Sequence, residues 1–195
     1  MYPIVKRIFD FIGALALIIL TAPLLLAIAA AIRLTMGRPI IFRQMRPGLN
    51  ERLFTCFKFR TMNHACGREG RLLSDAERTS PLGRWLRQTS FDELPQLWNI
   101  LRGDLSFVGP RPLFVRYLSH YTQEQRRRHS VRPGLTGWAQ IHGRNSIPFE
   151  KRLELDIYYV DHKSLWFDAR ILLSTVWIVL RQQGVGTDAA ALDRL

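Results

Sequence analysis

Residues 90–104 have the sequence SFDELPQLWNILRGD. Because Pro95 has no N–H, a helix tolerates it only in the first turn, and the stretch predicts a helix that begins near this proline. Apolar side chains follow at the spacing of one buried helical face: Leu94, Leu97, Trp98 and Leu101. Gly103 predicts the end of the helix. The adjacent carboxylates of Asp92 and Glu93 are therefore expected at the helix N-terminus or just before it.

This acidic pair has two interpretations. The free N–H groups and the positive dipole end of a helix favour ionised carboxylates at its N-terminus. An ionised aspartate there can bind a hard cation such as Mg²⁺ or attack phosphorus as a nucleophile. The alternative is a capping box, in which Ser90 and Glu93 satisfy backbone N–H groups. The local pattern alone favours capping.

The chain is strongly basic, since 28 lysines and arginines against 16 aspartates and glutamates give a formal net charge of +12. Such an excess predicts an anionic partner, which is nucleic acid, an anionic membrane or a phosphorylated substrate. Arginine predominates, and its planar fork suits bidentate contact with phosphate. Cys56 and Cys66 lack the spacing of a metal site and are typical of reduced cytosolic thiols, although a disulfide stays open. The length of 195 residues suits one domain, with at most an appendage.

A long apolar run covers residues 11–32, interrupted only by Gly13, Thr21 and Pro23. It is long enough to cross about 30 Å of hydrocarbon as a helix. Three alternatives are open: a signal peptide, a spanning helix and a re-entrant hairpin. A signal peptide has a shorter apolar region of about 7–15 residues, and the dense positive charge after the run opposes export.

Charge and proline content separate the other two alternatives. Pro23 removes a backbone hydrogen bond in the middle of the run and predicts a kink. Basic residues flank both ends: Lys6, Arg7, Arg33, Arg38, Arg43 and Arg46. Basic flanks prefer the cytoplasmic side, so a re-entrant hairpin satisfies both flanks, whereas a spanning helix satisfies only the heavier one. Hydropathy alone favours the span, and either path predicts that the chain after Arg33 is cytoplasmic.

The remaining pattern predicts a mainly α chain with one small β-hairpin, an α+β fold. Residues 39–46 and 53–60 are typical of two strands around a Pro-Gly turn. Helices are predicted over residues 81–88, 113–121 and 148–162. The apolar run 171–180 is too short to span a membrane, so it is a core helix or an interfacial one.

Two loops rich in proline and glycine follow the acidic stretch. Gly109-Pro110-Arg111-Pro112 is a stiff turn, because proline restricts both its own backbone and its neighbour's. Such a turn can aim Arg111 at a phosphate or simply redirect the chain. Residues 131–145 predict an ordered loop, since Leu135 and Trp138 favour burial.

Four stretches follow one another in a fixed order: Lys58-Phe59-Arg60-Thr61-Met62, Phe91-Asp92-Glu93-Leu94-Pro95-Gln96, Gly109-Pro110-Arg111-Pro112 and Arg132-Pro133-Gly134-Leu135-Thr136-Gly137-Trp138-Ala139-Gln140. In this order they resemble the bacterial sugar transferases, the small monotopic polyprenyl-phosphate phosphoglycosyl transferases. The likeness runs from residue 6 to about residue 180. Each motif alone is weak, but four in order form a specific signal.

The resemblance implies a phosphoglycosyl transferase that uses a UDP-sugar and a polyprenyl phosphate such as undecaprenyl phosphate. The products would be polyprenyl diphosphate-sugar and UMP, formed by a ping-pong route with Mg²⁺ as cofactor. By position, Asp92 would be the nucleophile that holds the phosphosugar covalently, and Glu93 would help to place the metal or the incoming phosphate. Arg111 and Pro112 lie in the turn that the family uses near the nucleotide. Weaker candidates for phosphate contact are Arg87, Arg132 and Arg144.

The membrane segment departs from the family in one respect. Members often carry Ser-Pro at the helix break, whereas this chain has Ala22-Pro23, with Thr21 as a substitute hydroxyl for a carbonyl freed by the kink. We still expect a re-entrant hairpin, with interfacial amphipathic helices beyond it. The predicted domains are a membrane-embedded hairpin over residues 1–36, a cytoplasmic catalytic domain over 37–181 and a flexible tail over 182–195.

These expectations place the protein at the bacterial inner membrane, with the catalytic domain on the cytoplasmic face against anionic phospholipid. The sequence leaves the oligomeric state open between a monomer and a homodimer. An alternative function is a membrane-tethered nucleic-acid binder or scaffold. Against nucleic acid, the basic residues are scattered and no helix-turn-helix or zinc-finger spacing occurs. A scaffold would leave the acidic pair and the arginine turn unexplained.

Overall fold

The computed structural model describes residues 1–63, 65, 71–143 and 147–181. Arg144, Cys66 and the tail predicted from residue 182 lie outside the described residues. The helices are α1 (Tyr2–Thr35), α2 (Asp75–Arg78), α3 (Pro81–Thr89), α4 (Gln96–Arg102), α5 (Gln123–Arg126), α6 (Trp138–Ile141), α7 (Phe149–His162) and α8 (Leu165–Leu180). The strands are β1 (Ile41–Pro47), β2 (Leu53–Phe59), β3 (Ser106–Val108) and β4 (Gly134–Thr136). The predicted class, mainly helical with a small hairpin, is confirmed.

Helix α1 is one helical element of 34 residues, about 51 Å long at 1.5 Å per residue. Its backbone stays helical through Ala22 and Pro23, so the expected break is not an interruption of the helix. By length and composition α1 can cross a membrane. The re-entrant path stays a prediction.

The hydroxyl of Thr21 does not take the part expected of it. Pro23 frees the carbonyl of Ile19, since the bond it lacks would run four residues back. Thr21 instead donates to the carbonyl of Leu17 at 2.6 Å, four residues before itself. A threonine side chain in a helix reaches that near carbonyl most easily, which explains the difference.

Both halves of α1 pack against the rest of the chain. Ala14 lies in a core cluster with Leu97 and Ile100 of α4. Near the other end, Ile28 and Ile32 belong to a second core cluster that includes Leu86 of α3 and Phe59 of β2. Much of the remaining α1 surface is apolar and exposed: Ile4, Ile8, Phe9, Phe11, Ile12, Leu15, Leu17, Ile19, Leu20, Leu26 and Leu34.

Polar contacts strengthen the N-terminal docking of α1. The buried carboxylate of Asp10 accepts from the Ser106 hydroxyl and the Phe107 N–H, both at 3.0 Å. Arg7 donates to the carbonyls of Ile100 and Leu101, both at 2.6 Å. Both carbonyls lie in the last turn of α4, where that of Ile100 also accepts from the Gly103 N–H at 3.0 Å, so Arg7 adds to the C-cap of this helix from another element.

The predicted hairpin is confirmed. Strands β1 and β2 pair antiparallel, with Ile41 opposite Phe59 and Pro47 opposite Leu53. Helix α4 is attached to β2 through the buried Asn99, whose amide donates to the Thr55 carbonyl at 2.7 Å and accepts from the Phe57 N–H at 3.1 Å. The helix that follows the acidic pair is therefore fixed to the hairpin.

The buried face of α4 differs from the predicted one at Trp98. Leu97 and Ile100 are buried, but Trp98 is 55% exposed. The bonds of Asn99 to β2 turn that residue inward, and its neighbour Trp98 must then face outward. Gly103 ends α4 in the left-handed conformation with φ 87°, as predicted.

The loop predicted over residues 131–145 contains an unpredicted strand. Strand β4 pairs in parallel with β3, with Ser106 opposite Gly134 and Val108 opposite Thr136. A Cβ at Gly134 would lie 2.1 Å from the backbone nitrogen of Gly109, so glycine alone allows this approach. Strands of three residues are too short to show a period of two, which is why the pattern missed them.

Helices α7 and α8 close the fold at the N-terminal end of α1. The buried Asp168 of α8 accepts from Lys6 at 2.7 Å and from the hydroxyls of Tyr2 and Tyr159 at 2.9 and 2.7 Å. Ser164 caps α8, which begins six residues before the predicted apolar run. Large apolar side chains on α8 stay exposed: Leu165, Trp166, Leu172, Leu173, Val176 and Trp177.

Candidate active site around Asp92 and Glu93

Asp92 and Glu93 lie in a 3₁₀ turn, Phe91–Glu93, between α3 and α4. The turn begins after Ser90, which has a left-handed backbone with φ 59°, and Pro95 is the N-cap of α4. The pair thus stands just before the helix, as predicted. The Ser90 side chain makes no capping bond, so the capping box is not formed and Glu93 is directed elsewhere.

Glu93 is held by two cations. Its Oε1 lies 2.5 Å from Lys58 Nζ, on β2, and 2.5 Å from Arg111 Nη2, in the Gly-Pro-Arg-Pro turn. Burial acts to raise the pKa of Glu93, but the charge of Arg111 and then that of Lys58 outweigh burial and hold this pKa well below its usual range. Glu93 is therefore a fixed negative charge that orients both cations.

Asp92 has the opposite environment. It is 9% exposed, and no hydrogen bond to its carboxylate occurs within the described part of the chain. Burial, and then the charge of Glu93, raise the pKa of Asp92 to about 6 against the opposing charges of Lys58, Arg111 and Arg87. Two adjacent carboxylates whose pKa values are pushed apart are typical of a catalytic pair. Asp92 is mostly ionised at neutral pH and is not engaged, as a nucleophile requires.

The turn that carries Arg111 rests on the β3–β4 pair. The Gly109 N–H donates to the Thr136 carbonyl at 2.9 Å, and the Gly134 N–H donates to the Pro110 carbonyl at 3.0 Å. The third and fourth motifs are therefore packed backbone against backbone. The Arg111 side chain is 43% exposed although Glu93 holds it. The Arg111 side chain is thus partly open to solvent, where an anion can approach it.

The structure brings together part of the predicted site. Arg111 and Pro112 lie in the turn beside Glu93, and Arg87 donates from its Nε to the Thr61 hydroxyl at 3.0 Å while its charge acts on Asp92. Arg132 is not at the acidic pair. Its Nε donates to the Gly103 carbonyl at 2.9 Å, at the opposite end of α4. Arg144 falls outside the described residues.

The family resemblance did not single out Lys58 as a site residue. The signal was present, because Lys58 lies in the first of the four quoted motifs and on a predicted strand. Arg46 is a second basic residue near the site. It lies 4.0 Å from the Phe114 ring centroid, and burial lowers the pKa of Arg46 to about 10. Arg60 in the same motif is instead structural, since it binds the carbonyls of residues 36–38 after α1.

A magnesium site built only from protein is absent from the described residues, where no group of three or more His, Cys, Asp and Glu side chains could hold a metal. Mg²⁺ is commonly bound through one or two carboxylates together with substrate phosphates. The unengaged carboxylate of Asp92 fits that use. Glu93 Oε2 has only a long contact of 3.4 Å with Arg111 and could serve as a second ligand.

Comparison with known proteins is consistent with this geometry. A model of the Bacterial sugar transferase family matches residues 1–182. The chain is 50% identical to the "Uncharacterized sugar transferase EpsL" of Bacillus subtilis, over 93% of this chain and 90% of that protein. It is 42% identical to the "UDP-glucose:undecaprenyl-phosphate glucose-1-phosphate transferase" of Caulobacter vibrioides, over 88% of this chain and 68% of that protein.

Other relatives are longer than this chain. The "UDP-glucose:undecaprenyl-phosphate glucose-1-phosphate transferase" of Escherichia coli is 38% identical over 89% of this chain, but the match covers only 40% of that protein. The chain thus spans less than half the length of such relatives. None of the three relatives is named as a nucleic-acid binder or scaffold, so the alternative function gains no support.

Proposed function

This chain belongs to the bacterial sugar transferase family, and from that premise we propose that it moves a sugar-1-phosphate from a UDP-sugar to undecaprenyl phosphate or a related polyprenyl phosphate. The products are polyprenyl diphosphate-sugar and UMP. One observation carries the proposal: the buried, unengaged carboxylate of Asp92 stands beside two cations that Glu93 orients. The names of relatives that share 38–42% identity with this chain agree with it.

The reaction has two displacement steps at one phosphorus. In the first, an Asp92 oxygen attacks the β-phosphorus of the UDP-sugar, and the bond from that phosphorus to the oxygen bridging the two phosphates breaks. The bridging oxygen leaves with the electron pair as part of UMP. In the second, a phosphate oxygen of the polyprenyl phosphate attacks the aspartyl-bound phosphosugar, and Asp92 leaves as a carboxylate.

Cations must offset the negative charge of the diphosphate before a carboxylate can approach it. The side chain of Arg111 is partly exposed, and Lys58 and Arg87 add positive charge around Asp92. Bound Mg²⁺, held by Asp92 with Glu93 as a second ligand, would supply further neutralisation of the phosphates. Glu93 keeps the cations in place without itself competing as a nucleophile, because its charge is already paired.

The docking of α1 supports a re-entrant path on the cytoplasmic face of the bacterial inner membrane. Asp10 and Ile32 both contact the rest of the chain, and the rise of about 1.5 Å per residue places them about 33 Å apart along the helix. That distance is close to the hydrocarbon thickness of about 30 Å, so a perpendicular span would draw the polar domain through the bilayer. A helix that enters the bilayer from the cytoplasmic face without crossing it, with the exposed apolar side chains of α1 and α8 in lipid, avoids this cost.

The test is an intact-mass measurement. Purified protein with Mg²⁺ and UDP-glucose or UDP-galactose, but no lipid, should gain the mass of one sugar phosphate. Asp92→Asn should abolish the adduct, because the amide is not a nucleophile. Asp104→Asn is the matched control, since Asp104 belongs to the same stretch but pairs with Arg102. An adduct in Asp92→Asn, or equal loss in both variants, would overturn the assignment.

A further inference from the structure

A buried ion pair lies behind the turn that carries Arg111. It joins Arg128 to Asp156, which lies on α7, and the two side chains are 1% and 4% exposed. Arg128 donates from Nε and Nη2 to one oxygen, Asp156 Oδ2, at 3.1 and 2.6 Å. The same Nη2 donates to the backbone carbonyl of Arg111 at 2.7 Å. The pair therefore connects α7 directly to the main chain of a site residue.

The bond from Arg128 fixes the Arg111 carbonyl, which takes no part in the β3–β4 pairing. The β3–β4 pair fixes the backbone of Gly109 and Pro110, and Glu93 fixes the guanidinium. Among the described residues, the hydrogen bond recorded at the Arg111 backbone is the one that its carbonyl accepts from Arg128. Rotation of this peptide would swing the Arg111 side chain away from Glu93.

The pair is poorly built for stability alone. Buried ion pairs commonly stabilise no better than apolar groups of the same volume, because both charges lose their hydration. Here the second oxygen, Asp156 Oδ1, is buried with no hydrogen-bond partner, and burial raises the pKa of Asp156. A site that retains this cost has another use for the geometry.

We propose that Arg128, held in place by Asp156, is a positioning residue that sets Arg111 against Glu93 and towards the donor diphosphate. The inference rests on the proposed function, because it assigns Arg111 to the phosphates of the donor. Arg126, two residues earlier, gives the contrast. It pairs with Glu51 at the surface at 2.7 Å and has no contact with the turn.

The test is a double-mutant cycle with Arg111. Arg128→Lys keeps the positive charge beside Asp156 but has a single nitrogen, which cannot keep the contacts to both Asp156 and the Arg111 carbonyl. We expect it to lower kcat/KM for the UDP-sugar about tenfold, mainly through KM, while the melting temperature changes little. In an Arg111→Ala background the same substitution should cost less than about twofold, since there is no guanidinium left to position.

Controls and outcomes separate this inference from the proposed function. Arg126→Lys should leave kcat/KM unchanged in both backgrounds, and Asp156→Asn should reproduce the cycle of Arg128→Lys. An equal loss in both backgrounds, or none in the native one, would overturn the positioning role while the enzyme stays a transferase. Unfolding of both Arg128→Lys and Asp156→Asn would also overturn it, because the pair would then be a stability element. An inactive wild-type protein would instead refute the proposed function.

Discussion

At the residue scale, Asp92 and Glu93 acquire different properties from different neighbours. Glu93 contacts Lys58 and Arg111 directly and stays ionised, because their charges lower the pKa of its carboxyl. Asp92 is shielded from water, lies beside that negative charge and has no bonded partner in the described part of the chain. The family resemblance divided the roles of the two carboxylates, but the residue pattern could not predict the environments behind that division, because both cations approach Glu93 from positions 35 and 18 residues away.

The elevated pKa of Asp92 predicts a pH dependence. The protonated carboxyl is a poor nucleophile, so the rate of adduct formation should fall as pH decreases through about 6, the pKa of this group. The measurement is the initial rate of phosphosugar adduct formation without lipid between pH 4.5 and 8. A rate that stays constant down to pH 4.5 would contradict the environment described for Asp92.

The same pH profile tests how far the charge of Glu93 contributes to the raised pKa of Asp92. Burial and then the charge of Glu93 raise the pKa of Asp92, whereas the charges of Lys58, Arg111 and Arg87 lower it. Glu93→Gln removes the one charge that disfavours ionisation and leaves the opposing cations, so the acidic limb should move to lower pH. Its overall rate should also fall, because Arg111 and Lys58 lose their partner. Glu124→Gln, at an exposed helix start, should leave the limb in place.

At the element scale, local sequence signals predicted where an element ends better than they predicted which of its side chains are buried. Pro95 and Gly103 bound α4 because proline and glycine restrict or free their own backbone. The prediction that Trp98 lies on the buried face of α4 was wrong, because Asn99 bonds to β2 and so sets the rotation of the helix about its axis. Arg132 likewise lies at the far end of α4 for a reason that only the β3–β4 pairing reveals.

Gly134 tests the contribution of that pairing. In Gly134→Ala the new Cβ would lie 2.1 Å from Gly109 N and 2.3 Å from the Thr136 carbonyl oxygen, and backbone cannot yield as a side chain does. We expect the free energy of unfolding to fall by about 3 kcal/mol and transferase activity to fall further, as the Arg111 turn shifts.

The measurement is denaturant unfolding together with kcat/KM at a temperature where the variant stays folded. Gly37→Ala is the control, since it meets open space and its φ of 75° costs only about 1 kcal/mol. Equal losses in the two variants would show that close backbone packing at Gly134 has no special importance.

At the scale of the whole molecule, the sequence predicted the class of the fold and the order of its parts. Composition and the charge of the flanking residues were sufficient to predict an apolar N-terminal helix next to a basic domain. The docking of both halves of α1 could not be predicted, because Asp10, Arg7 and Ile32 meet residues 27 to 97 positions away. Contacts of this separation leave no periodic trace in the sequence.

Topology provides the test at this scale. Single cysteines at Ile4 and Arg38, in a background without Cys56 and Cys66, flank the apolar run at both ends. If α1 re-enters, a membrane-impermeant thiol reagent applied to the periplasmic side should label neither position, and both should react after the inner membrane is opened. Labelling of Ile4→Cys in intact spheroplasts would establish a spanning helix.

The way Arg7 grips the final turn of α4 has a practical consequence for anyone who wants a water-soluble version of this protein. Cutting the chain after residue 36 would not release an intact domain from a tether. It would remove one side of two hydrophobic clusters and take the Arg7 guanidinium away from the carbonyls of Ile100 and Leu101, at the end of α4 opposite the turn that carries Asp92. Helix α1 is therefore a structural part of the domain, and the protein should be solubilised with detergent or lipid nanodiscs rather than by truncation.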